Sequence, residues 1–193
     1  MQTPAREVLD FWFGASGSTE HGTQRKQWFT KDSGFDALIR DRFGSSIEAA
    51  LAGGLREWDG QPSTALARIL VLDQFTRNSL RGTPRAFDGD ALALAAARAL
   101  VDSGAHSTLS PLQRSFAYLP FEHAEDLAMQ DASVRLFAAL ASDAPELAGL
   151  LEWAQRHRDV IVRFGRFPHR NAILGRVDTE AEIAFLAGSG SRF

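Results

Sequence analysis

An aspartate and an arginine four residues apart, Asp73 and Arg77, interrupt the apolar stripe of the segment ALARILVLDQFTRNSL. At about 100° per residue they share a helix face with Leu66, Ile69, Leu70 and Leu80, while Val71, Leu72 and Phe75 fill the other side. A helix that is apolar nearly all round belongs in the middle of a protein. This acid and base are therefore expected to be buried and to pair with each other. Two further segments break their stripes in the same way. In AYLPFEHAEDLAMQDASVRLFAAL the stripe Phe116, Leu127, Val134, Phe137 contains His123 and Gln130, with Asp126 at its edge and Glu125 facing away. In ELAGLLEWAQRHRDVIVRF, His157 sits at the centre of the stripe Leu150, Trp153, Ile161, Phe164. Buried groups of this kind cost on the order of several kcal/mol each unless they find partners. One shared site would satisfy them all.

Histidine beside a carboxylate is the usual equipment for general acid–base catalysis near neutral pH, which makes His123, Asp126 and His157 the candidate catalytic group. The candidate ligand-binding residues are Asp73, Arg77, Gln130, Arg166, His169, Arg170 and Asn171. The last four belong to the basic stretch RFGRFPHRNAILGR, which continues directly from the His157 segment. Pro168 restrains Phe167 to an extended conformation, so HRNAIL is free to start a new helical turn. Free N–H groups there, beside guanidinium forks, suit a small anionic molecule carrying phosphate or carboxylate. A simpler account covers Arg163 and Arg166, which lie where the dipole of the preceding helix favours cations. A metal would have to draw on His123, Asp126, His157 and His169, but no HExxH or other tight local spacing brings them together, and neither metal nor other cofactor is expected. Cysteine is absent, so thiolate chemistry is excluded. GASGSTEHG is not a nucleophile elbow, and neither it nor LAGGLREWDG is a phosphate-binding glycine loop.

The elements that must position these groups are helices. Thr3-Pro4 opens a helix that runs to Phe13, and residues 14–24 read as a loop. Phe35, Leu38, Ile39, Phe43, Ile47 and Leu51 mark a second helix at three- and four-residue steps. Pro62-Ser63 starts a third, ending by Gly82, and residues 88–104 form a fourth. Ser110-Pro111-Leu112-Gln113 is a capping box. Pro120 is expected to interrupt the helix that this box starts, with a helix running on to about Leu140. Asp143-Ala144-Pro145-Glu146 repeats the capping pattern before a helix ending at Gly165, and Thr179 with Glu182 caps a last short one. The class is all-α: about eight helices in antiparallel hairpins, in one compact domain spanning 1–193. At 193 residues, 45% hydrophobic and 23% charged, the chain can bury a core without covalent staples. A net charge of −3 argues against nucleic acid as a partner. No apolar run approaches the roughly 20 residues of a membrane span, and MQTPAREVLDFWFG has no signal-peptide pattern, so a cytoplasmic location is expected.

The segments LDFWFG, LDQFTRNSLRGTPRAF, YLPFEHAEDLAMQ and HRDVIVRFGRFPHRNAILGR resemble a bacterial family, the domain of unknown function 924, over most of the chain from Val8 to Leu186. The resemblance implies an all-helical fold of the tetratricopeptide-repeat-like kind and no established activity. The chain departs from the family's pattern at Thr76, where proline is common, and at Glu122, where an apolar residue is usual. Thr76 favours an unkinked helix through Asp73 and Arg77. Beside a polar site that binds a small anion and performs acid–base or hydrolytic chemistry stand two other readings. One is a helical module that grips a peptide or protein partner, its groove lined by Trp12, Trp28 and Trp58. The other is a purely structural polar network that fixes the core.

Overall fold

A computed structural model describes residues 3–28 and 30–188, and among these every regular element is helical. Helix α1, Pro4–Phe13, starts where Thr3 Oγ1 accepts the Arg6 N–H, and α2, Ser33–Leu51, starts where the Asp32 carboxylate accepts the N–H groups of Gly34 and Phe35. The third helix, α3, is a composite rod. Pro62–Leu70 is α-helical, Val71–Phe75 is a π turn, and Thr76–Ser79 is α-helical again. Then come α4, Asp90–Asp102; α5, Pro111–Glu122; α6, Leu127–Asp143; and α7, Gly149–Phe164. Two short helices, α8 at Asn171–Leu174 and α9 at Glu180–Leu186, complete the described chain.

The composite rod lies at the centre, packed on α1, α2, α4 and α5, while α5, α6 and α7 pack in chain order beside it. Leu66, Ile69, Leu70, Val71, Leu72 and Phe75 are all fully buried, as the apolar-all-round pattern requires. Each side chain of that size contributes about 1.5–3 kcal/mol on burial. Trp12 packs its ring 5.5 Å from Phe75 and 5.6 Å from Phe116. Trp12, Trp28 and Trp58 are thus core residues, and none of them lines an open groove for a partner.

Three local expectations are corrected by the structure. The rod through Asp73 is not a regular α-helix despite Thr76: the π turn adds a residue, and side chains take up the loosened carbonyls. Thr76 Oγ1 donates to Leu72 O at 2.6 Å and Ser79 Oγ to Phe75 O at 2.6 Å. Pro120 does not interrupt its helix, because the chain breaks three residues later, between Glu122 and Leu127. The Gln130 amide fixes that break, donating to Glu122 O at 2.7 Å and Ala124 O at 2.8 Å, while Asp126 caps α6 by accepting the Met129 N–H. Asp143 ends α6 rather than capping α7; its carboxylate pairs with Arg114 at 2.9 Å, and α7 begins without a side-chain cap.

The π turn is also why residue 89 is glycine. Gly89 has an ordinary φ of −82°, but a Cβ placed on it would lie 2.0 Å from the Leu72 carbonyl oxygen. This close approach seats the start of α4 on the π turn. Gly89→Ala should therefore lower the melting temperature by about 3–10 °C, from an overpacking cost of about 1–3 kcal/mol. Gly44→Ala is the control: it sits inside α2 with open space around its Cβ and should stabilise by about 0.5–1 kcal/mol. Thermal melts of the two variants check the pair of opposite signs.

Candidate functional site

Asp73 projects from the π turn into the interior, with its side chain 1% exposed. Its Oδ1 accepts the Nδ1–H of His123 at 2.7 Å and lies 2.9 Å from Arg77 Nη1; its Oδ2 accepts from Gln74 Nε2 at 2.5 Å. Burial alone would push this carboxyl up, but Arg77 and His123 outweigh it and hold it well below the usual carboxylate range. His123 is the residue that follows and caps α5, and its ring reaches back to the π turn. Burial holds its imidazole below the ordinary value of 6.5, with Asp73 opposing. At neutral pH the pair is thus a carboxylate and a neutral imidazole. Since Asp73 can only accept, the His123 proton sits on Nδ1 and Nε2 carries the lone pair. The His123 side chain as a whole is 16% exposed.

A second pair of charges encloses this dyad. Asp90, the first residue of α4, places Oδ1 2.9 Å from Arg77 Nη2 and Oδ2 3.1 Å from Arg170 Nη1. Arg170 is buried between the rings of Phe87 and Phe167, at 4.8 and 4.6 Å, and its Nη2 donates to the backbone carbonyl of His123 at 3.0 Å. Burial, and then the charge of Arg77, lowers this guanidinium to about 10, so it remains a cation at neutral pH. Two carboxylates and two guanidiniums balance. The fit is not complete: Arg77 Nη2, Asp90 Oδ1 and Arg170 Nε are buried without an aligned hydrogen bond.

On the far side of His123, at a ring separation of 6.4 Å, stands His157. Its Nδ1–H donates to Trp153 O at 2.9 Å, and Glu122 Oε1 approaches the same nitrogen at 3.3 Å. Burial lowers His157 to about 3, and burial followed by the nearby Asp73 charge raises Glu122 to about 8. Both are neutral at pH 7.

Of the residues nominated from sequence, the structure gathers Asp73, Arg77, His123, His157 and Arg170. The others have separate work. Asp126 is an exposed helix cap and Gln130 a buried one. Arg166 forks onto Glu182 at 2.7 and 2.8 Å, and Asn171 joins Asp178 to Arg176. His169 is exposed, its ring 5.5 Å from that of Phe167. The basic loop is therefore ion-paired: Arg166 with Glu182, Arg170 with Asp90, Arg176 with Glu125. Asp90, Glu122, Glu125 and Arg176 are the members that sequence reasoning missed. Glu125 faces away from the site only if one helix runs through it, whereas an aspartate before LAMQ is a legible cap signal. Among the described residues no group of three or more metal-ligating side chains is arranged to hold an ion. Two cavities lie elsewhere. One is a cleft of about 610 Å³ lined by residues including Phe13, His21, Gln24, Gln113 and Glu146, and the other a void of about 30 Å³ beside Trp28 and Phe137. No helix among the described residues is long and apolar enough to cross a membrane.

Residues 8–190 match the model of a family described as bacterial protein of unknown function, DUF924. A solved structure of a protein of unknown function from Agrobacterium tumefaciens is 38% identical, covers 95% of this chain and 96% of its own, and superposes with a TM-score of 0.82. A comparison with curated proteins returns no match.

The neutral Glu122 gives the site a signature in pH. Its folded value, about 8, lies above the ordinary 4.5, so between those values the native form holds a proton that the unfolded chain releases. Stability from this group is present below pH 4.5 and drains away as pH rises toward 8. Glu122→Gln removes the drain. It should raise the melting temperature by several degrees at pH 8 and leave it nearly unchanged at pH 4, as melts across that range would check.

Proposed function

The chain belongs to this bacterial family, DUF924, whose function is unknown, and from the geometry of its buried cluster we propose that it is an acid–base catalyst acting on a small polar substrate, with His123 as the general base. One observation carries the reading. A fully buried carboxylate holds the Nδ1 proton of His123 at 2.7 Å and leaves Nε2 as the basic atom of a side chain that is 16% exposed. This is the division of labour that general-base catalysis requires: a fixed tautomer, an orienting acid that stays ionised, and a lone pair on the opposite ring nitrogen.

Hydrolysis is the simplest reaction such a pair performs. Nε2 removes a proton from water while the water oxygen bonds to an electrophilic carbon or phosphorus. The imidazolium that forms is stabilised by Asp73, and the departing oxygen or nitrogen takes up a proton from the site as its bond breaks. Arg77 and Arg170 supply positive charge near the developing anion. Asp90 already pairs with both, so a small anionic ligand would gain Arg77 Nη2 and Arg170 Nε by competing with that carboxylate. His157 belongs to the site through Glu122 and the ring of His123, whereas Asp126, a solvent-facing cap, has no part in the step.

The charge balance favours one rival, a polar network that only specifies the core. The two readings separate on a panel of small chromogenic esters, phosphate esters and amides. Wild type should turn over at least one class, and His123→Asn and Asp73→Asn should each lose about 10²–10⁴-fold of that rate while remaining folded. Absence of turnover throughout, with both variants melting far below wild type, would establish the structural reading instead.

A further inference from the structure

Resting on the acid–base reading above, we infer that Glu122 is held as a neutral carboxylic acid and is the proton donor of this site, the acid that answers the His123 base.

The two carboxyls of the cluster have opposite surroundings. Asp73 receives His123 Nδ1–H, Arg77 and Gln74, so its negative charge is fully solvated by protein. Glu122 is buried too, at 5% exposed, yet no arginine or lysine among the described residues pairs with it. The elements packed around it offer little to a negative charge. The rod α3 presents Asp73, whose charge repels, and Arg77, which is already held between Asp73 and Asp90. Helix α7 presents His157, whose Nδ1 proton is committed to Trp153 O. The loop after α7 presents Arg170, committed to Asp90 and the His123 carbonyl. An unpaired carboxylate in such a place is prohibitively costly, and the carboxyl relieves the cost by keeping its proton. Burial and the Asp73 charge raise it to about 8, in line with this geometry. Two carboxyls driven apart by environment, one ionised and one protonated, are how a single site holds a base and an acid at the same pH.

Position supports the pairing. Glu122 and His123 are consecutive at the end of α5, and the His157 ring contacts both, at 3.3 Å from Glu122 Oε1 and at a ring separation of 6.4 Å from His123. In the hydrolytic step, water loses a proton to His123 Nε2 as its oxygen bonds to the electrophile. The bond to the leaving oxygen or nitrogen breaks, and the Glu122 O–H proton passes to that atom, directly or through one water. The site then holds an imidazolium and a carboxylate. Transfer of the His123 proton back to Glu122 through water restores both groups, and one water is consumed overall.

The test uses the full-length protein carrying ¹³C-labelled glutamate, with the Glu122 carboxyl assigned by its loss in Glu122→Gln. Its titration midpoint should lie far above the ordinary carboxylate range. In parallel, the pH profile of kcat/KM is measured on a chromogenic substrate that wild type hydrolyses. Glu122→Gln should lose the alkaline limb and at least 10-fold in rate, Glu122→Asp should recover part of both, and His123→Asn should lose the acid limb. A Glu122 carboxyl that titrates in the ordinary range, or an alkaline limb unmoved in Glu122→Gln, overturns the inference while leaving His123 as base. Absence of turnover by wild type on every substrate overturns the acid–base reading and the donor role together, even with a high-titrating carboxyl.

Discussion

Asp73 is a carboxylate on the central helix of an otherwise apolar core, and removing such a charge from water is costly unless protein dipoles and cations replace the lost hydration. The structure meets that demand from three directions. The rod itself contributes Gln74 from the π turn and Arg77 from the helical segment after it. The end of α5 contributes the His123 ring, and the start of α4 contributes Asp90, which balances Arg77. Gly89 lets α4 come close enough to do so, because any side chain at that position would strike the Leu72 carbonyl. Removing one partner would leave a buried charge uncompensated, so the arrangement is held collectively.

The basic loop after α7 is a clasp on that arrangement. Gly165 and Gly175, both at positive φ, bound it, and between them Phe167 is fully buried against His157 while Arg170 reaches the His123 carbonyl. Arg176 then grips Glu125, whose Oε1 also accepts the Phe167 N–H at 2.7 Å. The loop thus fixes the backbone of the residue that carries the imidazole, and its positive charge is spent on carboxylates of the protein. An excess of arginine in sequence did not amount to an excess of free cations in space.

Much of this was legible in the chain before folding was considered. The apolar-all-round pattern placed the central rod, the i,i+4 spacing paired Asp73 with Arg77, and stripe-breaking histidines pointed to a common interior. Two capping boxes appeared where the spacing set them, at Ser110 and Thr179. What was not legible arose from local geometry that changes phase. A π turn advances the helix by a residue without any proline, and a four-residue break at residues 123–126 divides what reads as one amphipathic helix. The second of these leaves Asp126 outside as a cap, while Glu122 takes the buried position. Asp90 was missed for another reason, since an aspartate at a helix start is ordinarily explained as a cap, and its contacts to Arg77 and Arg170 join segments far apart in the chain.

The central claim is that Asp73 fixes the proton of His123 on Nδ1 and leaves Nε2 as a base at neutral pH. Nitrogen-15 correlation spectra of the imidazole rings at pH 7 test it most directly, with His123 assigned by substitution. The account predicts a neutral ring protonated at Nδ1, with a strongly deshielded Nδ1–H resonance that vanishes in Asp73→Asn. A His123 ring protonated at Nε2, or a fully charged imidazolium at that pH, would contradict it.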